Sequence, residues 1–172
     1  MNAATVLLMV VAIHQAYADT ATYRRCECYQ YTAVCSESTW QAANDSCKAD
    51  GGRLATMHTK ALWKQSKTEI KGAGMDEKSC HGFGFWIGFY DPDRSLDGST
   101  HDETAFEWVY PMCKNFAKWA PGQPNDNKKK DDSGQNCVQL WTKKSFKYDD
   151  EYCTSEKGYI CQKATSCDHV CY

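Results

Sequence analysis

The sequence predicts an α+β domain, stapled by disulfides and carrying a long loop region. Three observations carry this expectation. Two stretches with helical spacing and capping residues fall within the first 75 residues. Short apolar runs of strand length follow from about residue 80. Eleven cysteines, at positions 26, 28, 35, 47, 80, 113, 137, 153, 161, 167 and 171, lie beyond an apolar leader, where an oxidising compartment would pair them.

The leader MNAATVLLMVVAIHQAYA closes on Ala16-Tyr17-Ala18, the small-residue form of a signal-peptidase site, so residues 1–18 are read as a signal peptide. His14 and Gln15 interrupt the run well short of a spanning length, and a secreted, extracellular protein with no membrane insertion is expected. Residues 19–27 form an N-terminal segment, 28–162 the domain and 163–172 a cysteine-containing tail. The formal net charge of -2 supplies no field that would draw nucleic acid or an anionic membrane. Lys128-Lys129-Lys130 runs directly into Asp131-Asp132 and reads as a solvated, self-neutralising loop.

Taken in order, YQYTAVC after Cys28 begins with the alternation of a short strand. In STWQAANDSCKADGG, Ser38 or Thr39 caps a helix on which Trp40, Ala43 and Cys47 share a face, and Gly51-Gly52 stops it. KALWKQSKTEIKGAG repeats the pattern, with Thr59 as cap, Leu62, Trp63 and Ser66 on one face, and Gly72 at the end. FGFWIGFY, AFEWVY, NCVQL and GYICQ are the expected strands. Between Asp91 and Asn136 lies a polar stretch with few apolar residues, and loops of that length in a compact domain are usually functional.

No nucleophile and base are linked by a recognisable motif, and His58, His81 and His101 are scattered, so the chain is not read as an enzyme. A zinc reading of Cys26, Cys28 and Cys35 lacks a matching second pair. The odd cysteine count leaves at least one over, as a free thiol or an intermolecular link, and a disulfide-linked homodimer is the expectation. Asn44-Asp45-Ser46 is an N-glycosylation sequon placed on the first helix beside Cys47.

Within residues 28 to 162 the motifs stand in a recognisable order. They are Trp40 with Ala43 and Cys47, GGRLA at 51–55, WIG at 86–88, WAPGQPN at 119–125, Cys137-Val138, YDDEYC at 148–153 and GYIC at 158–161. In this order and spacing the chain resembles the C-type lectin domain. The resemblance implies a C-type lectin-like fold of two helices, short antiparallel sheets and a long loop region. It also implies the disulfides Cys47–Cys161 and Cys137–Cys153, and a cis peptide bond before Pro124.

The resemblance further implies calcium as cofactor and the terminal sugars of glycans as partners. Gln123, Asn125, Asp149 and Asp150 fall on the family's calcium ligands, and Gln135 falls on the remaining one, an amide where the family has a glutamate. Tyr148 stands in place of the usual tryptophan. Calcium takes several oxygens in loose geometry. An amide can give its carbonyl oxygen to the ion while its NH2 donates to a sugar hydroxyl, and a carboxylate can accept that hydroxyl's proton. Gln123, Asn125 and Asp149 are thereby sugar-binding residues as well, with Asp126 nearby. With two carboxylates in the set, affinity for calcium is expected on the order of 10⁻⁴ to 10⁻³ M.

In the family, Glu-Pro-Asn goes with mannose-like diols and Gln-Pro-Asp with galactose-like ones. Gln-Pro-Asn has the galactose form's Gln and the mannose form's Asn, and the expectation leans to galactose or N-acetylgalactosamine, with mannose as the alternative. Trp141 is the candidate aromatic for the sugar's apolar face. The rival reading, favoured by Gln135, is a calcium-independent domain of the same fold that binds glycan or protein.

Overall fold

A computed structural model of the chain describes residues 28–75, 83–92, 103–112, 116–130 and 132–165. The leader, the 19–27 segment, His81, His101, Asp131 and Cys26, Cys80, Cys113, Cys167 and Cys171 lie outside the described residues. The chain divides into a main unit, Tyr29–Lys163, and a smaller unit formed by the chain ends, Met1–Cys28 and Ala164–Tyr172.

Strand β1 is Cys28–Ser38, helix α1 Trp40–Ala49, β2 Arg53–Leu54 and α2 Lys60–Gly72. Then come β3 Gly84–Tyr90, β4 Glu107–Trp108, β5 Cys137–Trp141, β6 Lys147–Glu151 and β7 Lys157–Thr165. Both helices start as their sequences direct. The Thr39 hydroxyl accepts from the Ala42 N–H at 3.3 Å, and Thr59 accepts from Leu62 at 3.2 Å, each satisfying a donor the helix itself leaves open. In α1, Trp40, Ala43, Asn44 and Cys47 turn inward, and in α2, Trp63, Ser66 and Ile70.

The strands join in one mixed sheet of order β1-β7-β3-β5-β6, with β2 on β7 and β4 on β3. This differs from the expected short antiparallel sheets, because β3 runs parallel to β7, Phe85 opposite Gly158 and Trp86 opposite Tyr159. AFEWVY yields only a two-residue strand, since Ala105 ends a short 3-10 turn. β2 and β6 were not anticipated from the sequence.

β3 is central and buried on both faces, hence its unbroken apolar run. Phe85, Ile87 and Phe89 enter a cluster with Trp63 and Ile70 of α2, Val138, Leu140, Phe106, Trp108 and Tyr148. Trp86 enters the other cluster, with Trp40, Ala43 and Cys47 of α1, Leu54 and Tyr159. Each helix therefore packs on its own side of the sheet. The two disulfides are Cys47–Cys161, which ties α1 to β7, and Cys137–Cys153, which closes the β5–β6 hairpin. These are the pairs the resemblance implies. Cys35 is disulfide-bonded as well.

Candidate functional site

The stretch that follows β4 returns to the sheet at Lys118–Ala120. Tyr148 N–H donates to the Lys118 carbonyl and Ala120 N–H to the Tyr148 carbonyl, both at 2.8 Å, and Trp119 bridges Tyr148 in parallel. From that anchor the chain turns through Gly122, and the Gln123–Pro124 peptide bond is cis. Pro124 is buried while Asn125 is exposed.

β6 supplies the acidic partner. Asp150 is fully buried, and its Oδ1 and Oδ2 accept the Asn125 N–H at 3.0 and 2.9 Å. Oδ2 also accepts the Asp126 N–H at 2.6 Å. Burial raises the Asp150 carboxyl above its usual range, while the backbone donors of Asp126 and Asn125 pull it back down. The Asn125 Nδ2 donates to Gln123 Oε1 at 2.5 Å, so the two amides meet each other. Gln123, Asn125 and Asp150 are thus brought together across some 25 residues of sequence.

Asp149 sits next in β6 but turns to β5, where Gln139 Nε2 donates to its Oδ2 at 2.7 Å. Its carboxyl is pushed up to about 7, first by burial, against which the Gln139 bond works, and further by the charges of Asp150 and Glu151. Gln139 was not singled out by sequence reasoning. Its signal was its position two residues after Cys137, cross-strand from Asp149. Its Oε1 lies against Gly84, where an added Cβ would come within 1.7 Å of that oxygen, so a glycine there makes room for the amide.

Gln135 is engaged at both ends of its amide. Its Oε1 accepts the Asn127 N–H at 3.0 Å and its Nε2 donates to Glu151 Oε1 at 3.3 Å. Glu151 in turn pairs with the buried Lys157 at 3.1 Å. Both ends of the Gln135 amide are committed to protein, and the side chain acts as a strut between the loop and β6. Asp126 is a second strut. Its Oδ1 accepts the Gln135 N–H at 2.9 Å, and its Oδ2 lies 3.3 Å from Lys128 Nζ without accepting a hydrogen bond. The Asp126 carboxylate fills the space beside Gly134, where a Cβ would sit 1.9 Å from Oδ1 and φ is +77°.

Trp141 lies further along β5. It ends β5 opposite Lys147 and Gly84, two residues along the strand from Gln139, about 7 Å away. Its half-buried ring has Lys144 Nζ 5.4 Å from the centroid.

The donor set suits calcium in chemical type. Gln123, Asn125, Asp149 and Asp150 each carry an oxygen of the kind such an ion takes. Neither buried aspartate forms an ion pair with any lysine or arginine among the described residues, where Lys128 is paired with Asp126 and Lys157 with Glu151. The Lys157 charge favours the Asp149 carboxylate only in part, and two adjacent buried carboxylates are a costly arrangement that a bound cation would relieve.

The comparisons with known proteins agree with the fold. Residues 36–163 match the Lectin C-type domain. The Salivary C-type lectin 2 of Aedes albopictus is 31% identical over 133 residues, covering 73% of this chain and 78% of that protein. A C-type lectin of Cerberus rynchops is 31% identical over 132 residues, 72% of this chain and 70% of its own length. Among solved structures, the C-type carbohydrate-recognition domain of cow CD23, determined in the presence of a GlcNAc2Man3 oligosaccharide, superposes with a TM-score of 0.57 at 27% identity. It covers 83% of this chain and 92% of that one. Human lithostathine shares the fold at 23% identity and a TM-score of 0.65, covering 80% of this chain and 92% of that one. The mosquito and snake relatives are named C-type lectins, in keeping with the expectation of a non-enzymatic domain. The chain belongs to the C-type lectin domain family.

Proposed function

We propose that the chain is a secreted lectin that binds terminal sugars of glycans in a calcium-dependent way at the Gln123-Pro124-Asn125 loop. The observation that carries this reading is the pair of adjacent buried carboxylates, Asp149 and Asp150, neither in an ion pair among the described residues, beside two amides that meet each other. Gln123, Asn125, Asp149 and Asp150 would hold the ion, and Gln135 would serve as the strut described above. Bound calcium would supply a Lewis-acidic anchor for two vicinal hydroxyls. The protein's own part is to orient them: amide NH2 groups donate to the sugar, and carboxylate oxygens accept. The sugar class proposed is galactose or N-acetylgalactosamine. The leftover cysteine links two copies, and two weak sites on one particle raise avidity without any new contact.

A second reading is supported by the engagement of Gln123 Oε1 by Asn125 and of Gln135 by its two partners. In it, the loop binds glycan or protein without a metal. Titration calorimetry with galactose and mannose, in calcium and then in excess chelator, separates the two. Heat only in calcium supports the first reading, and equal affinity in both conditions replaces it with the second. Gln123→Glu adds a carboxylate to the set, so it should tighten calcium and move preference toward mannose, and an unchanged sugar ranking would refute the role given to Gln123.

A further inference from the structure

A second cleft, of about 480 Å³, opens between α1 and the residues that follow β4. That volume falls in the range of small-ligand sites. None of Gln123, Asn125, Asp149 or Asp150 lines it. Its walls include Trp40, Asn44, Lys48, Arg53, Tyr90 and Tyr110, so two cations face it with no carboxylate among the lining residues. Of the acids near it in sequence, Asp45 is occupied by the Gln41 amide at 3.0 and 3.1 Å, and Asp50, Asp91 and Glu107 are not among the lining residues.

Three features mark this as a prepared surface. First, the aromatic part is fixed. Trp40 Nε1 donates to the Ile87 carbonyl at 2.9 Å, and its ring centroid stands 4.9 Å from that of Tyr90. Second, Arg53 is held flat and unneutralised. Its guanidinium lies 4.2 Å from the Tyr110 centroid and 5.5 Å from that of Tyr29, Nη2 reaches the Tyr29 hydroxyl at 3.4 Å, and Nε has no hydrogen-bond partner. Among the described residues no carboxylate pairs with it. Third, Asn44 is 5% exposed and its Oδ1 is buried without a partner. A buried, unpartnered acceptor is costly unless something donates to it.

We propose that this cleft is a second ligand site, for a sugar unit that carries a sulfate or carboxylate group. Arg53 and Lys48 would receive the anion, since a guanidinium presents paired donors to an oxyanion. Asn44 Oδ1 would accept from a sugar hydroxyl, and the half-buried Tyr90 ring, backed by the buried Trp40, would cover the sugar's apolar face. Because the site uses no residue of the Gln-Pro-Asn loop, it is independent of calcium, and its fate in a test is separable from that of the loop.

The test is calorimetry in excess chelator with three hexasaccharides: one heparin-derived and sulfated, one hyaluronan-derived with carboxylates only, and one neutral and built of galactose. The acidic probes should bind and the neutral one should not. Binding of the sulfated probe alone, or of the carboxylate probe alone, identifies which anion is recognised. Lys48→Glu, on an exposed position, should weaken binding at least tenfold, and Arg53→Gln should do the same if the variant folds. Lys64→Glu makes the same charge change on the exposed side of α2, off the cleft, and should leave affinity within a factor of two. Failure of both acidic probes to bind, full affinity in Lys48→Glu, or an equal loss in Lys64→Glu would each overturn the proposal.

Discussion

Replacing Asp150 by Asn separates two roles that one carboxylate can play in this loop. In the structure Asp150 accepts the backbone N–H groups of Asn125 and Asp126, at 2.6 to 3.0 Å, from within a fully buried setting. A hydrogen bond to a charged group contributes about 1.5–3 kcal/mol. Against the two bonds stands the cost of burying the carboxylate, which is what raises its pKa. Asn keeps one acceptor oxygen but turns an NH2 donor toward N–H groups, so one bond is lost and one donor is left facing another. The net expectation is a loss of about 2–3 kcal/mol without any metal. For a domain of this size that lowers Tm by about 5–10 °C. The assay is thermal unfolding of the oxidised protein in excess chelator, then in calcium. The wild type should gain a further ~1.4 kcal/mol when calcium stands about tenfold above Kd, and Asp150→Asn should lose that increment too. A variant as stable as wild type in chelator would show that the carboxylate does not hold the loop, and the account of the 121–127 segment given above would fail.

Three further outcomes follow from neighbouring residues. Asp149 titrates near 7 in the folded chain and near 3.8 as a free group, so between those values the folded state holds a proton that the unfolded chain has released. Stability in chelator should therefore rise as pH falls from 8 through 7 toward 5, by about 2–3 kcal/mol, whereas calcium stabilisation should shrink over the same interval; melting curves at several pH values check both signs. Gln135→Glu sets a second carboxylate where an NH2 now lies 3.3 Å from Glu151 Oε1, and it should cost about 1–3 kcal/mol in chelator. Adding Glu151→Gln should restore most of that loss, and a double-mutant cycle with no coupling would contradict the strut. Asn44 is buried on α1, so intact-mass and peptide spectra of the secreted protein should show no glycan there, and an occupied site would refute the packing of that helix.

Much of the frame was legible because local chemistry and tertiary need coincide. Thr39 and Thr59 cap the helices the spacing predicts, and FGFWIGFY, expected as a strand, supplies β3. β6 was not legible. KYDDE carries two aspartates, poor strand formers, and what holds them extended is the cross-strand register with β5 together with Asn125, Asp126 and Gln139 as partners. β2, two residues long, is likewise set by its pairing with β7 rather than by its own composition. At the site, the family spacing located Gln123, Asn125 and Asp150 together, whereas the engagement of Gln135 by Asn127 and Glu151 depends on contacts no motif encodes. Asn44 illustrates the same limit, since the sequon is a surface signal and its burial is a property of the helix face.

The Cys137–Cys153 bridge gives the two halves of the loop site unequal mechanical standing. Asp149 and Asp150 ride on a hairpin closed into a covalent ring, while Gln123 and Asn125 hang on a span strung between the pegs at Lys118–Ala120 and the start of β5. Opening of that span severs the bonds to Asp150 and leaves the ring intact. The fraction of time the span is seated then multiplies directly into the apparent affinity of anything bound there. Substitutions at struts such as Asp126 and Gln135 thereby act as a rheostat on binding, through the seating of the span.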